Sequence, residues 1–230
     1  MPQPSLLSIL RREFQSAADP TRAPGMQAYM KSTMPYHGVS AVPLRAICKR
    51  VFQDLDFAND EHWQREVLGI WRGAKYREER YAAIELSGHR RSKNFQTMRA
   101  LAMYEEMITS GAWWDFVDTI AAHRLGQILR ADPQPMQKAM RQWSGCDNLW
   151  KRRSAILCQL TFKQDTDLDL LFACIEPSLD SKEFFLRKAI GWALRQYAMT
   201  DAEAVRRYVR VKENDLSPLS RREALKNIGE

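Results

Sequence analysis

Cysteine is scarce in this 230-residue chain, and its four copies form no C-x-x-C pair. No histidine stands at zinc-finger spacing from Cys48, Cys146, Cys158 or Cys174, and His37, His62, His89 and His123 are scattered. The pattern speaks against a metal site or a disulfide scaffold, and no cofactor is expected. Free cysteines in apolar stretches act as small hydrophobes and fit a cytoplasmic address. No uncharged apolar run approaches the roughly 18 residues needed to cross a bilayer, so no membrane partner is expected. The N-terminus, MPQPSLLSILRREFQ, lacks a basic leader and a small-residue cleavage site. It reads as an amphipathic helix, not a signal peptide.

What remains is a charged, globular composition. Lys and Arg total 35 against 28 Asp and Glu, the net charge is +7, and 45% of residues are hydrophobic. Such a chain can bury a sizeable core. Its basic excess is modest support for a polyanionic partner, and many basic proteins bind none.

Apolar spacing is helical almost throughout. Trp63-Val67-Ile70-Trp71 and Ile190-Ala193-Leu194-Tyr197 advance in steps of three and four, the spacing of one helix face. Thr200-x-x-Glu203, Ser220-x-x-Glu223 and Asp180-x-x-Glu183 have the form of N-terminal caps. Pro43 and Pro218 suit helix starts, and Gly88 suits an end. No alternating β-branched run and no Asn-Gly or Asp-Gly turn is present. The expectation is an all-α protein of about a dozen helices.

A weak repeat sharpens this. Arg80-Tyr81-Ala82-Ala83-Ile84 resembles Arg152-Arg153-Ser154-Ala155-Ile156, and both resemble Arg187-Lys188-Ala189-Ile190. The intervals suit one or two units of roughly 35–45 residues, the period of HEAT-type helix pairs. A single solenoid domain over 1–230, of about six helix pairs, is expected, with the repeated basic residue recurring on its concave face. Ala-Ile is also a common helical dipeptide, which leaves coincidence open.

Three residue groups depart from the core stripe. In a helix, Trp113 shares a face with Val117 and Ile120, whereas Trp114 is rotated by about 100° and lies one turn before Asp118. An indole and a carboxylate then project together beside the core; a helix-start aspartate next to a half-buried tryptophan would look the same. Trp192 falls on the flank of its helix with Lys188 one turn before it and Arg195 nearby. Interleaved aromatic and basic groups suit a nucleic-acid surface, or a tryptophan packed under cationic stems. Arg153 occupies the apolar stripe Leu149-Arg153-Ile156-Leu160. It must find a carboxylate, carbonyl or phosphate partner, within the protein or outside it. The clusters around His89-Arg90-Arg91 and Arg206-Arg207 read as solvated faces.

These segments together resemble the AlkD family of DNA alkylation repair proteins, the HEAT-like-repeat alkylpurine DNA glycosylases. The resemblance is carried by Tyr29-Met30-Lys31, Tyr36-His37-Gly38, Trp113-Trp114-Asp115-Phe116-Val117-Asp118 and Asp147-Asn148-Leu149-Trp150 with Arg153. It continues through Ser181-Lys182-Glu183-Phe184-Phe185, Lys188 to Arg195, and Leu216 to Ala224. It implies an all-α, HEAT-like helical-repeat solenoid that grips double-stranded DNA in a concave face, and removal of cationic alkylated purines of the 3-methyladenine and 7-methylguanine type. It also implies catalytic roles for Trp114, Asp118 and Trp192, with Arg153, Tyr29, Lys188, Phe184 and Phe185 as DNA contacts.

The side chains suit that chemistry. Alkylation at a ring nitrogen makes the purine cationic and weakens its glycosidic bond. The remaining task is to stabilise an oxocarbenium-like sugar and place a water, which an ionised Asp118 can do. The resemblance further implies that the lesion stays largely in the duplex, unlike the base-flipping glycosylases. A monofunctional, metal-free enzyme acting as a bacterial-type cytoplasmic monomer, nucleoid-associated when DNA-bound, is therefore expected. A non-catalytic HEAT-like protein that binds damaged or distorted DNA, and a protein-interaction scaffold, are the alternatives.

Overall fold

A computed structural model describes residues 4–229; residues 1–3 and 230, the ends of the expected 1–230 domain, lie outside the described residues. Among the described residues the chain forms fourteen α-helices, short 3-10 turns and no strand. The all-α class expected from the periodicity is what the structure shows. The chain divides into two compact units, residues 1–95 and 96–230.

The first unit holds α1 (Leu6–Ser16), α2 (Ala23–Met30), α3 (Ala41–Phe52), α4 (Asp60–Gly73) and α5 (Arg77–Ser87). Ser5 and Asn59 cap α1 and α4 by accepting the N–H of Ser8 and of His62. The stripe Trp63-Val67-Ile70-Trp71 is wholly interior, as are Leu10, Phe14 and Leu86 on the helices α1 and α5 that α4 contacts. Full burial of each such side chain contributes about 1.5–3 kcal/mol. The loop after α2 is fixed from below by Glu78, whose buried carboxylate accepts the N–H of His37, Gly38 and Val39 at 3.1, 2.9 and 3.1 Å. Gly38 has φ +86°, and a Cβ there would lie 2.1 Å from the Asp19 carbonyl oxygen. Only glycine fits that position.

The second unit begins with α6 (Leu101–Gly111) and α7 (Trp114–Thr119). A π turn over Ile120–Leu125 joins α7 to α8 (Gly126–Ala131) as one continuous rod. Then follow α9 (Pro133–Ser144), α10 (Leu149–Leu157), α11 (Leu168–Ile175), α12 (Phe184–Ala198), α13 (Ala202–Val211) and α14 (Pro218–Leu225). Leu186, Ile190 and Leu194 of α12 are buried with Ile156 and Leu157 of α10, Val205 of α13 and Ala224 of α14. The core of this unit thus converges on α12.

Some expectations shift in detail. The caps of α13 and α14 are Asp201 and Ser217, which accept the N–H of Ala204 and of Ser220; Thr200 and Ser220 are not the caps. Glu183, not Asp180, stands at the N-cap of α12, without a side-chain cap bond. The repeated basic residues are tied down locally. Arg80 lies over the Trp71 ring at 4.7 Å, Arg152 donates to the Pro177 carbonyl and Ser178 Oγ, and Arg187 donates to the Ser181 carbonyl. For Arg152 and Arg187, the guanidinium satisfies a loop carbonyl that would otherwise lack a donor. Cys48, Cys158 and Cys174 are buried free thiols, and Cys146 is half-buried and free.

Candidate functional site

Asp118 lies near the end of α7, two residues before the π turn begins at Ile120. Such wide turns locally re-aim a helix and recur at functional sites. α7 itself starts at Trp114, with Trp113 at its N-cap in extended backbone (φ −150°, ψ 146°). Trp113 is therefore not the interior helical residue expected from its spacing. It is half-buried and packs against Trp150 and Phe185, with ring centroids 6.1 and 5.5 Å away. Trp150 and Phe185 in turn stand 5.0 Å apart. The Trp113 Nε1–H is buried without a hydrogen-bond partner within the protein.

Arg153 comes to Asp118 from α10. That helix starts at Asn148, whose side chain accepts the N–H of Trp150 and Lys151, and it is held to α6 by the Lys151–Glu105 ion pair at 2.6 Å. The Arg153 Nε and Nη2 donate to the two Asp118 oxygens at 2.7 and 2.8 Å, while Nη1 donates to the Phe185 carbonyl at the start of α12. Both expected kinds of internal partner, a carboxylate and a carbonyl, are therefore found. The side chains are only 5% exposed for Arg153 and 12% for Asp118. With its guanidinium so engaged, Arg153 holds Asp118 in place.

Burial pushes the Asp118 carboxyl above the usual aspartate range; Arg153 pulls it back only in part, and neighbouring Asp115 adds to the rise. In a bidentate pair each carboxylate oxygen keeps a lone pair free to accept further. Asp118 is thus a fixed hydrogen-bond acceptor that is only slightly exposed.

The other expected residues are placed as follows. Trp114 is half-buried one turn before Asp118. Trp192 is half-buried on α12, against the core of the second unit. At about 100° per residue it lies within roughly 20° of Phe185 on that helix, two turns on. Phe184 is exposed at the helix start, with its ring 5.5 Å from Phe185. Lys188 has its Nζ 3.0 Å from a Glu223 oxygen. Tyr29 belongs to the first unit, where the residue is 74% exposed. The structure thus brings together Asp118, Arg153 and the Phe185 main chain.

Glu223, Trp113, Trp150 and the Phe185 carbonyl were not singled out as functional by the sequence pattern, whereas the Phe185 side chain was expected as a DNA contact from the family resemblance. Trp150 and Phe185 sit within segments that carry the family resemblance, which was the only signal available for them. Among the described residues no group of three His, Cys, Asp or Glu could hold a metal ion, and no helix is long and apolar enough to cross a membrane.

The family model of the DNA alkylation repair enzymes matches residues 10–228. The chain belongs to that family. A solved structure described as a predicted DNA alkylation repair enzyme from Enterococcus faecalis is 30% identical, with 93% of this chain and 97% of that chain covered and a TM-score of 0.82. No curated protein matches the sequence.

Proposed function

We propose that this protein is a monofunctional DNA glycosylase that hydrolyses the N-glycosidic bond of cationic alkylated purines in duplex DNA, the first step of base excision repair. The observation that carries the proposal is the Asp118 carboxylate, held by both oxygens on Arg153, only 12% exposed and one helical turn after Trp114. Family membership supports a role in DNA repair; the carboxylate supports this reaction within it.

A cationic base is already a good leaving group, so the site needs no strong acid. As the bond to the purine lengthens, positive charge gathers on the sugar, and an ionised carboxylate fixed beforehand stabilises it without reorganising. The same oxygens can accept a proton from the attacking water. The faces of Trp114 and Trp192 would hold the sugar–phosphate backbone and favour nearby positive charge. Phe184, Phe185, Lys188 and, in the first unit, Tyr29 are DNA-contact candidates in this reading. Arg153, expected as a DNA contact, instead acts by positioning Asp118, its guanidinium being engaged by that carboxylate and the Phe185 carbonyl. No pocket for a flipped base is needed, which fits a lesion left largely stacked.

The test is single-turnover release of 7-methylguanine from a defined duplex. Asp118→Asn is expected to lower the rate by about 10²–10³, the size of effect seen when a fixed transition-state partner is removed, while duplex affinity stays near wild type. Undiminished release by the variant would remove Asp118 from the mechanism. Binding without release by wild type would favour the non-catalytic alternative.

A further inference from the structure

Helix α14 lies unusually close to α12 at one place. A Cβ on Gly191 would stand 2.5 Å from the Glu223 Cβ and 2.9 Å from the Ser220 carbonyl oxygen. Glycine there lets the two helices touch backbone to backbone. From this contact Glu223 reaches along α12 and binds two cations. Its Oε1 lies 3.0 Å from Lys188 Nζ, and its Oε2 accepts a hydrogen bond from Arg195 Nη1. One carboxylate is thus shared between residues that precede and follow Trp192 on its own helix.

Helical geometry orders these groups. Taking Gly191 as zero, Arg195 and Lys188 fall about 40° and 60° round α12, and Trp192 about 100°. The two cationic stems therefore stand between α14 and the indole. At spacings of four and three residues, both are direct neighbours of Trp192 on the helix surface. Glu223 is largely buried, with 14% of its side chain exposed, whereas Lys188 keeps 37%. Ser217 caps α14, and Ser220 Oγ donates to the Arg187 carbonyl of α12, so the acid is carried on an anchored element.

We propose that Glu223 is a positioning residue for Trp192, acting through Lys188 and Arg195, and that it restrains these two cations from binding phosphate on their own. The inference rests on the glycosylase reading above for its effect on excision, and on DNA binding alone for its effect on the cations. Two restrained stems give the indole a fixed wall. Their heads, neutralised by one acid, approach a phosphate only in the geometry that Glu223 permits. An unrestrained pair would bind backbone more strongly but at more registers, with the tryptophan less well placed.

The test compares full-length wild type, Glu223→Gln and Glu223→Asp in two assays. Binding to an undamaged duplex is followed over a range of salt concentrations, and 7-methylguanine release is followed in single turnover. Glu223→Gln is expected to bind tighter, with a log–log salt slope steeper by about one to two, since each added phosphate contact contributes about 0.9. Its release rate is expected to fall about ten- to a hundredfold, as small misplacements of a positioning group do. Glu223→Asp should recover part of both. Weaker binding together with slower release and a lower melting temperature would make Glu223 a structural brace and overturn the proposal. So would a variant identical to wild type in both assays. Should wild type release no base, the glycosylase reading fails, and an unchanged salt slope would then separately reject the restraint of the cations.

Discussion

The two units of this protein each bury a carboxylate on an arginine, in nearly the same geometry and with opposite results. In the first, Arg11 donates through Nε and Nη2 to the two Glu79 oxygens at 2.6 and 2.9 Å. In the second, Arg153 does the same to Asp118 at 2.7 and 2.8 Å. Burial alone would raise the Glu79 carboxyl, but Arg11 and the N–H groups of Lys75 and Tyr76 together carry it below its ordinary range. Asp118 has no backbone donor of that kind, and burial leaves it raised. Glu79 also completes the start of α5, as its oxygen accepts the N–H of the N-cap residue Tyr76. The difference teaches that the ion pair does not mark the functional carboxylate. What marks it is acceptor capacity left over once the pair has formed.

The sharpest way to break this contrast is to neutralise both acids. Asp118→Asn should abolish nearly all base release, and it should also cost stability, because it leaves the Arg153 guanidinium, only 5% exposed, without its carboxylate. Glu79→Gln should cost stability and leave the chemistry intact. Removing one member of a buried charged pair typically costs about 3–5 kcal/mol, and Arg11, being partly exposed, keeps the expected loss near the low end. The folded fraction of Glu79→Gln should release base at close to the wild-type rate. Urea unfolding and single-turnover assays on the same preparations separate the two; equal losses of activity would end the distinction.

A smaller effect follows from the opposite pKa directions. Glu79 is lowered by folding, so its contribution is present above the ordinary glutamate value and is lost as pH falls through the folded one. Asp118 is raised, so the native state holds its proton longer, and stability falls as pH rises from the ordinary aspartate value through the folded value. Glu79→Gln should therefore flatten the acid limb of the stability profile, and Asp118→Asn should steepen it. Base release by wild type should fall on acidification with a midpoint above the ordinary aspartate range. A midpoint at or below that range would mean that Asp118 is not the group required in its ionised form.

The sequence made the helices legible because a buried face is a local pattern: Trp63-Val67-Ile70-Trp71 needs no knowledge of its neighbours. Arg153 was legible for the converse reason, as a cation on an apolar stripe that had to find a partner. The identity of that partner was not legible, because Asp118 and Arg153 are joined only when α7 packs on α10. The same limit hid Glu223, whose two cations lie on another helix and are reached only where Gly191 admits α14. Nor does any local pattern announce the π turn after Asp118. At Trp113 and at the starts of α12, α13 and α14 the periodicity was sound but the boundary was displaced. Capping depends on which residue leaves helical backbone, and several adjacent polar residues could have done so.

Asp201 provides the mildest test and a useful control on the main contrast. It lies in the second unit with Asp118, yet its Oδ1 accepts the Ala204 N–H at 2.9 Å, so its side chain already has a backbone donor, as that of Glu79 has. If partners and not location decide the role, Asp201→Ala should cost about 1 kcal/mol, the usual value of an N-cap, and leave base release by the folded protein unchanged. Thr200→Ala, one residue earlier and outside the cap, should cost no more than about 0.5 kcal/mol. Both can be read from paired urea-unfolding curves. A larger loss at Thr200 than at Asp201 would move the start of α13 back by one residue. Loss of base release at Asp201 without loss of stability would show that proximity in the second unit, and not spare acceptor capacity, selects the working carboxylates.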